Sequence, residues 1–133
     1  IITNKNIFFY GFLPPKNVSS YINAMDICLL PNQKIVYSHG SDTKGVNISE
    51  FTSPLKMFEY MSHKKAIIAS DLPVLKEVLN EKNSLLVSYK DINEWIGAIE
   101  KLKNEEFRKK IGNQAFKDFV KYRWFFRAKN VLE

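Results

Sequence analysis

The chain has 133 residues, of which 45% are hydrophobic and 14% aromatic, and this is enough apolar material for the core of one folded domain. Its net charge of +6 comes entirely from residues 101–133, which hold ten basic and four acidic side chains, whereas residues 1–100 hold ten of each sign. No apolar run approaches the ~18 residues of a membrane span, and no nucleic-acid motif accompanies the charge. We therefore expect neither a membrane-spanning protein nor a nucleic-acid partner.

The first half of the chain alternates between strand-like and helix-like patterns. Residues 7–10 are β-branched and aromatic and predict a strand, after which a helix can begin at Asn17 or Ser19. Residues 27–30 are continuously apolar and predict a buried strand. Residues 32–50 lose all periodicity and are rich in Ser, Gly, Asn and Asp, which is typical of a long loop.

The second half continues the alternation and then becomes helical. The predicted elements are a helix over 54–62, a strand over 66–69, a helix over 71–79 capped at Ser70 and Asp71, and a strand over 84–88. Asp91 then caps a helix with Ile92, Trp95, Ile96, Ile99 and Leu102 on one face, and a further helix carries Phe107, Ile111, Ala115 and Phe119. We expect Phe8, Phe9, Trp95 and Phe107 in the core. The whole pattern predicts an α/β fold with a parallel sheet covered by helices on both faces.

The single cysteine and the first residues bear on location. Cys28 lies inside an apolar run, which predicts a buried thiol and not a disulfide partner or a catalyst. The N-terminus shows no secretion signal, and it does not begin with Met, so we expect a cytoplasmic piece of a longer chain. The basic C-terminal region predicts a solvated face, or a surface that meets anionic lipid at the inner membrane or another domain.

The start of the helix at residues 54–62 places a cation where a helix tolerates it least. Ser53 can cap the first amides and Pro54 suits the first helical position, so Lys56 lies near the positive end of the helix dipole. A bound phosphate would turn Lys56 into a ligand, and Glu59, one turn on, would face the same molecule. The alternative is that Lys56 and Glu59 are a solvated surface pair.

The position of this helix start in the predicted fold favours a ligand. In open parallel sheets, ligands bind beyond the carboxyl ends of the strands, where Gly11, Pro31 and the loop over 32–50 also lie. No cluster of His, Cys or carboxylate has the spacing of a metal site, so we expect no metal. The sequence therefore predicts an anion site without a metal at this edge.

The runs SPLKMFEYM at residues 53–61 and KAIIASDLP at residues 65–73 resemble the donor-binding part of group 1 glycosyltransferases of GT-B architecture. Residues 6–12 and 21–31 upstream, and 75–79, 83–87 and 122–128 downstream, are also similar to that family. The resemblance implies that residues 1–133 are a partial C-terminal donor-binding domain that lacks its first strand-helix unit. Residues 1–90 would form its Rossmann-like core and residues 91–133 its closing helices.

The family pattern also implies a role for each matching residue. Gly11 and Phe12 would lie beside the nucleobase, Ser53, Pro54 and Leu55 would present backbone to the diphosphate, Lys56 would stabilise the departing phosphate, and Glu59 would bind ribose. Many members carry a further Glu eight residues before the ribose Glu, where this chain has Phe51. Glu50, one position away, is therefore a weaker candidate for the donor-sugar ligand.

The resemblance implies transfer of a hexosyl group from a UDP- or GDP-sugar to an acceptor hydroxyl, with retention of configuration and without a cofactor. Such enzymes build polysaccharides or act on lipid-linked acceptors. The acceptor domain would precede this chain, so the fragment alone should be inactive. Two alternatives remain open: a nucleotide-sugar epimerase of the same architecture, and a non-catalytic interaction module with a basic tail.

Overall fold

The structure is a computed structural model that describes residues 5–35 and 55–123. Within these ranges the elements are α1 (Pro15–Ala24), β1 (Ile27–Leu30), α2 (Leu55–Ser62), β2 (Ala66–Ser70), α3 (Pro73–Lys76), β3 (Leu85–Val87), α4 (Ile92–Leu102) and α5 (Glu105–Phe119). A single 3-10 turn, Val120–Tyr122, follows α5. The alternation of strand and helix predicted for the first ninety residues is therefore largely present.

The three strands form one parallel sheet in the order β1-β2-β3. Ile27 lies opposite Ala66 in the first pair, and Ile68 lies opposite Leu85 in the second. All five residues of β2 are buried, as expected for a central parallel strand with helices on both sides. The apolar runs thus predicted both strands, and β2 is one residue longer than expected. β1 is not fully buried as expected, because it lies at the edge of the described sheet and Leu29 is 43% exposed.

Helices cover both faces of this sheet, as the sequence predicts. On one face, side chains of α2 and α3 pack against β1 and β2, with the buried residues Leu30, Met57, Met61, Ile67, Ala69, Leu72, Leu75, Leu79 and Ala115. On the other face, α4 and the start of α5 pack against β2 and β3, with the buried residues Ala66, Ile68, Val87, Ala98, Leu102 and Ile111. The sheet is therefore the middle layer of three, which is the Rossmann-like arrangement.

Helix α4 begins as predicted, but its apolar face is only partly buried. The Asp91 carboxylate accepts a hydrogen bond from the Asn93 amide at 2.9 Å, so the predicted cap is confirmed. Leu102 is fully buried, whereas Ile92 is 68% exposed and Ile96 is 52% exposed. The apolar stripe is wider than the area that β2 and β3 can cover, so its outer part faces an open cavity.

The predicted strand at residues 7–10 is absent. These residues pair with none of the three strands, and Phe8 and Phe9 are 70% and 86% exposed, so their expected place in the core is wrong. The prediction that Phe107 lies in the core is also wrong, since this side chain is 36% exposed. β-branched and aromatic residues form a stable strand only when a neighbouring strand satisfies their backbone and a layer covers their side chains.

Trp95 does pack against the second face of the sheet, as predicted. Its indole Nε1 donates to the Ser88 carbonyl oxygen at 2.9 Å, and its ring contacts the core formed by α4 and β3. The tryptophan is half-buried because its polar edge lies at the end of β3.

Helix α3 is shorter than predicted. It covers Pro73–Lys76, its N-cap is Leu72, and no side chain caps it. The predicted capping role of Ser70 and Asp71 is therefore wrong. Ser70 ends β2 and donates to the Leu30 carbonyl oxygen at 3.4 Å, while the Asp71 carboxylate forms an ion pair with Lys76 at 2.7 Å. These two side chains have tertiary or ion-pair partners instead of the helix amides.

Cys28 is a buried thiol, as predicted, and this predicts how stability changes at alkaline pH. It is 2% exposed, and burial raises its pKa from 9.0 to about 11, partly offset by the charge of Lys65. Below pH 9 the thiol is neutral whether the chain is folded or unfolded. Between about pH 9 and 11 only the unfolded chain ionises there, so the free energy of unfolding should fall by roughly 2–3 kcal/mol.

Urea unfolding of the wild type and of Cys28→Ala at several pH values from about 8 to 11 would measure this. The alkaline decline should be smaller in Cys28→Ala, because the ionising group is gone. The remaining decline would come from other groups, including Tyr60, whose pKa is raised mainly by burial. Equal declines in the two proteins would assign the effect to those other groups alone.

Candidate functional site

Helix α2 carries the two charged residues of the predicted site. Met57 and Met61 are fully buried and fix one side of this helix against the sheet. Lys56 and Glu59 lie on its exposed side. A helix that leads back into a parallel strand starts at the edge where the strands end, so the first turn of α2 lies at the carboxyl edge of β1 and β2. Both side chains therefore face solvent near the edge where ligands bind in such sheets.

Lys56 and Glu59 do not neutralise each other. They are three residues apart on one helix, yet neither takes part in any of the four ion pairs formed within the described ranges. Leu55, at the first position of α2, is 79% exposed. The first turns of α2 therefore present a cation and a carboxylate on the same solvent-facing side, which is a suitable arrangement for an anionic ligand with hydroxyl groups.

Hydrogen bonds at the end of α2 hold it to α1. The Glu59 carbonyl oxygen accepts from Ser62 Oγ at 2.7 Å and from His63 Nδ1 at 2.8 Å. Because a carbonyl can only accept, Nδ1 carries a proton, and Nε2 forms a hydrogen bond with Ser19 Oγ at 2.8 Å. His63 is thus a connector between helices, and both of its ring nitrogens are used for that purpose.

Gly11 and Phe12 lie in the segment before α1. Gly11 has a φ of +66°, a conformation that favours glycine, and Phe12 is 89% exposed. Just before them, the Tyr10 ring packs edge-on against Tyr21 with ring centroids 5.1 Å apart. The contacts that attach α1 to α2 are those of Ser19 with His63 and of Lys65 Nζ with the Asn23 carbonyl oxygen. No hydrogen bond or ring contact in the described residues joins Gly11 or Phe12 to Lys56 or Glu59.

Three predicted site residues lie outside the described residues, namely Glu50, Ser53 and Pro54. The predicted contacts of the Ser53 and Pro54 backbone with a diphosphate, and of Glu50 with a sugar, therefore stay predictions. What the structure does place is the second half of the motif, from Leu55 to Glu59. It leaves the side chains of Lys56 and Glu59 accessible, as a ligand-binding role requires.

Two cavities at the carboxyl edge involve residues that the sequence reasoning missed. A cavity of about 510 Å³ is lined by Lys34, Asp71, Leu72, Pro73, Val74, Glu77 and Tyr89. A more apolar one of about 370 Å³ is lined by Leu29, Pro31, Gln33, Ser70, Tyr89, Ile92, Trp95, Ile96 and Ile99. Neither includes Lys56 or Glu59. Tyr89 could have been identified from its position just after a predicted strand, since the carboxyl ends of parallel strands meet at one edge.

Within residues 5–35 and 55–123, no group of three or more His, Cys, Asp or Glu side chains is close enough to hold a metal ion. None of the helices in these ranges has both the length and the apolar character needed to cross a membrane.

Comparisons with known proteins bear on the family and the fold of the chain. The sequence model of the family described as "Glycosyl transferases group 1" matches residues 2–105. Among solved structures, sucrose-phosphate synthase from Thermosynechococcus elongatus superposes with a TM-score of 0.70 at 20% identity, over 93% of this chain and 28% of that one. At this identity the likeness shows the fold, and the chain spans little more than a quarter of that enzyme. No curated protein matches the sequence.

Proposed function

Because the chain belongs to the group 1 glycosyl transferases, we propose that it forms part of the donor site of an enzyme that transfers a sugar from a nucleoside diphosphate. The observation that carries the proposal is the exposed pair Lys56 and Glu59 in the first turns of α2, at the carboxyl edge of a parallel sheet of GT-B type. In the described residues neither side chain is used in an ion pair.

The diphosphate is proposed to bind at the start of α2. The first amides of a helix have no partner within the helix, and the dipole there is positive, so an anion is stabilised. Lys56 adds a full positive charge to the partial positive charge of the helix dipole, and it makes charge-assisted hydrogen bonds to phosphate oxygens. The same phosphate would explain why a cation is kept in a first turn, where it otherwise destabilises the helix.

Glu59 is proposed to bind the ribose of the donor. It lies one turn beyond Lys56, about 4.5 Å further along the helix axis. A carboxylate is an acceptor only, and its two oxygens suit the two neighbouring hydroxyl donors of a ribose. The Glu59 carbonyl oxygen accepts from Ser62 and His63, and the bond of His63 to Ser19 joins this end of the helix to α1. Gly11 and Phe12 are proposed to lie beside the nucleobase.

Leaving-group stabilisation is the proposed contribution to catalysis. The bond between the anomeric carbon of the sugar and the β-phosphate oxygen breaks, and that oxygen keeps the electron pair. The helix start and Lys56 stabilise this charge as it develops, without a metal. The acceptor hydroxyl oxygen bonds to the anomeric carbon, and its proton passes to the departing phosphate oxygen. We propose that configuration is retained, that the acceptor site belongs to another part of the longer protein, and that this chain alone transfers no sugar.

Nucleotide titration of Lys56→Ala and Glu59→Ala tests the proposal. Isothermal titration with UDP and GDP should show roughly tenfold weaker binding in each variant, because a charge-assisted hydrogen bond contributes about 1.5–3 kcal/mol. Lys101→Ala and Glu106→Ala are matched controls, since both residues are exposed on other helices. The controls should bind nucleotide as the unmodified chain does, and circular dichroism should show no change of fold in any variant.

Unchanged affinity in both site variants would reject the proposed donor site and favour the interaction module. Conversion of a nucleotide-sugar into its epimer in the absence of an acceptor would instead indicate an epimerase. A thermal-shift series with UDP, GDP, ADP and CDP would identify the base, since the nucleotide that binds the folded chain most tightly raises the melting temperature most.

A further inference from the structure

The outward side of α5 is the feature with no role in the proposed donor site. Ile111, Gly112 and Ala115 are buried and define its inner side. Lys110, Lys117 and Lys121 are exposed, and their spacing of seven and four residues places them along one stripe on the outer side. Lys82, which is also exposed, lines the same cavity as Lys110 and Lys117. We call these four residues the α5 lysine face.

The charge of the α5 lysine face is not neutralised by nearby carboxylates. Two other lysines nearby are paired: Lys109 of α5 with Glu105 at 2.6 Å, and Lys103, just after α4, with Glu100 at 2.7 Å. In the part of the chain that the structure describes, no carboxylate forms an ion pair with any lysine of the face. Lys121 Nζ lies 5.0 Å from the centre of the Tyr122 ring. The face therefore has a net positive charge.

Apolar side chains lie among these lysines. The cavity shared by Lys82, Lys110 and Lys117 has a volume of about 650 Å³ and is also lined by Phe107, Ile111, Asn113, Gln114 and Glu81. Phe107 is 36% exposed, and Glu81 is the only acid in this lining. Lysines around a partly exposed aromatic ring are the composition of a surface that rests on the headgroup region of an anionic membrane.

Arginine, the side chain best suited to nucleic acid, is not among the four residues of this face. Arg108 is the arginine of α5, and it points inward: one Nη donates to the Leu102 carbonyl oxygen at 2.8 Å and the other to Asp26 at 3.3 Å. Lysine lacks the planar guanidinium group with which arginine forms paired hydrogen bonds to phosphates and base edges. Its flexible ammonium group suits the diffuse charge of lipid headgroups. The chemistry of the face therefore favours a lipid surface over nucleic acid.

We propose that the α5 lysine face docks the protein on the surface of an anionic lipid bilayer. Lys82 precedes β3, so the cavity lies towards the amino ends of the strands, whereas α2 begins at their carboxyl ends. Docking by this cavity leaves the start of α2 open to nucleotide. The inference does not depend on the donor site, and it agrees with an acceptor that is itself held in a membrane.

Sedimentation with lipid vesicles tests the proposal on the complete chain. The probes are vesicles of phosphatidylcholine alone and vesicles with equal parts of phosphatidylglycerol. The unmodified chain should bind only the anionic vesicles. Replacing Lys110, Lys117 and Lys121 together with Gln should weaken that binding by up to about a hundredfold, since each lysine near an anionic surface contributes roughly fivefold. Gln is a good helix former, so the variant should fold.

The matched control replaces Lys5, Lys16 and Lys90 with Gln, which removes the same charge from exposed positions elsewhere. It should bind anionic vesicles nearly as the unmodified chain does. Equal losses in the two triple variants would overturn the proposal, because they would show attraction by net charge alone. No binding of the unmodified chain to anionic vesicles would overturn it too, and duplex or single-stranded RNA bound instead would identify a nucleic-acid surface.

A comparison of two salts distinguishes a lipid-binding surface from a site for one phosphate ion. Inorganic phosphate or chloride is added, at equal ionic strength, to the protein bound to anionic vesicles, and release of the protein is measured. A lipid surface predicts the same release in both salts, because screening depends on ionic strength. Selective release by phosphate would overturn the proposal in favour of a single anion site.

Discussion

Replacing Gly112 with Ala should severely destabilise the domain. Helix α5 crosses closely over the turn between α2 and β2, and the added Cβ would overlap the Lys64 carbonyl oxygen. It would also lie 2.9 Å from the Lys64 carbonyl carbon and 3.3 Å from that of Lys65. All three are backbone atoms, so no side chain can rotate away to make room. The turn itself is constrained, because Lys64 has a φ of 56°.

To remove this overlap, α5 would have to move away from the sheet. That movement would expose Ile111 and Ala115, which are buried in the two hydrophobic cores. We expect a loss of about 3 kcal/mol or more in the free energy of unfolding, measured by urea denaturation followed by circular dichroism. Gly97→Ala is the matched control, since Gly97 lies in α4 with open space around its Cα. It should gain about 0.5–1 kcal/mol, because Ala is the better helix former. Similar effects of the two substitutions would contradict the close crossing.

Replacing Asn83 with Asp should also cause a large loss of stability, and this loss should depend on pH. Asn83 is fully buried in the loop before β3. Its amide nitrogen donates to the Val78 carbonyl oxygen at 3.2 Å and to Asp118 Oδ2 at 2.8 Å, while its oxygen accepts from the Asn80 amide at 2.8 Å. One side chain thus joins the end of the α3 region to α5.

The substitution keeps the volume of the side chain and changes only its chemistry. A carboxylate at position 83 would be fully buried and would face the Asp118 carboxylate, and two like charges at hydrogen-bond distance repel. We expect a loss of about 3 kcal/mol at neutral pH. At about pH 4 a proton shared between the two carboxyl groups should restore part of the lost stability.

Urea unfolding of the wild type, Asn83→Asp and Asn113→Asp at the two pH values would measure both effects. Asn113 is exposed on α5, so its substitution should change stability by no more than about 0.5 kcal/mol. A loss in Asn83→Asp that is equally large at both pH values would show that lost hydrogen bonds, and not repulsion by Asp118, cause it.

Much of the fold could be predicted from local patterns. The apolar runs at residues 27–30 and 66–69 are strands, and Asp91 caps α4. A parallel strand between two layers of helices must be apolar throughout, so its composition alone identifies it. The helix that carries Lys56 could likewise be predicted from the spacing of its methionines, because periodicity is a property of neighbouring residues.

The failures have a common cause. The aromatic residues at 7–10 have the composition of a strand, but the three described strands leave them unpaired. Ser70 and Asp71 have the composition of a helix cap, but Leu30 and Lys76 are their partners. In each case local composition predicted an element, while a partner elsewhere in the chain decided whether it formed.

The sequence by itself therefore determined which segments form β1 and β2, where α4 begins, and that Lys56 and Glu59 share one helix. Only the tertiary structure decided that both face solvent without neutralising each other, that Gly112 must be glycine, and that the α5 lysine face points outward. Hydrophobic periodicity and capping act over a few residues, so they can be read locally. Steric fit and charge pairing depend on residues tens of positions apart, so they exist only once the chain has packed.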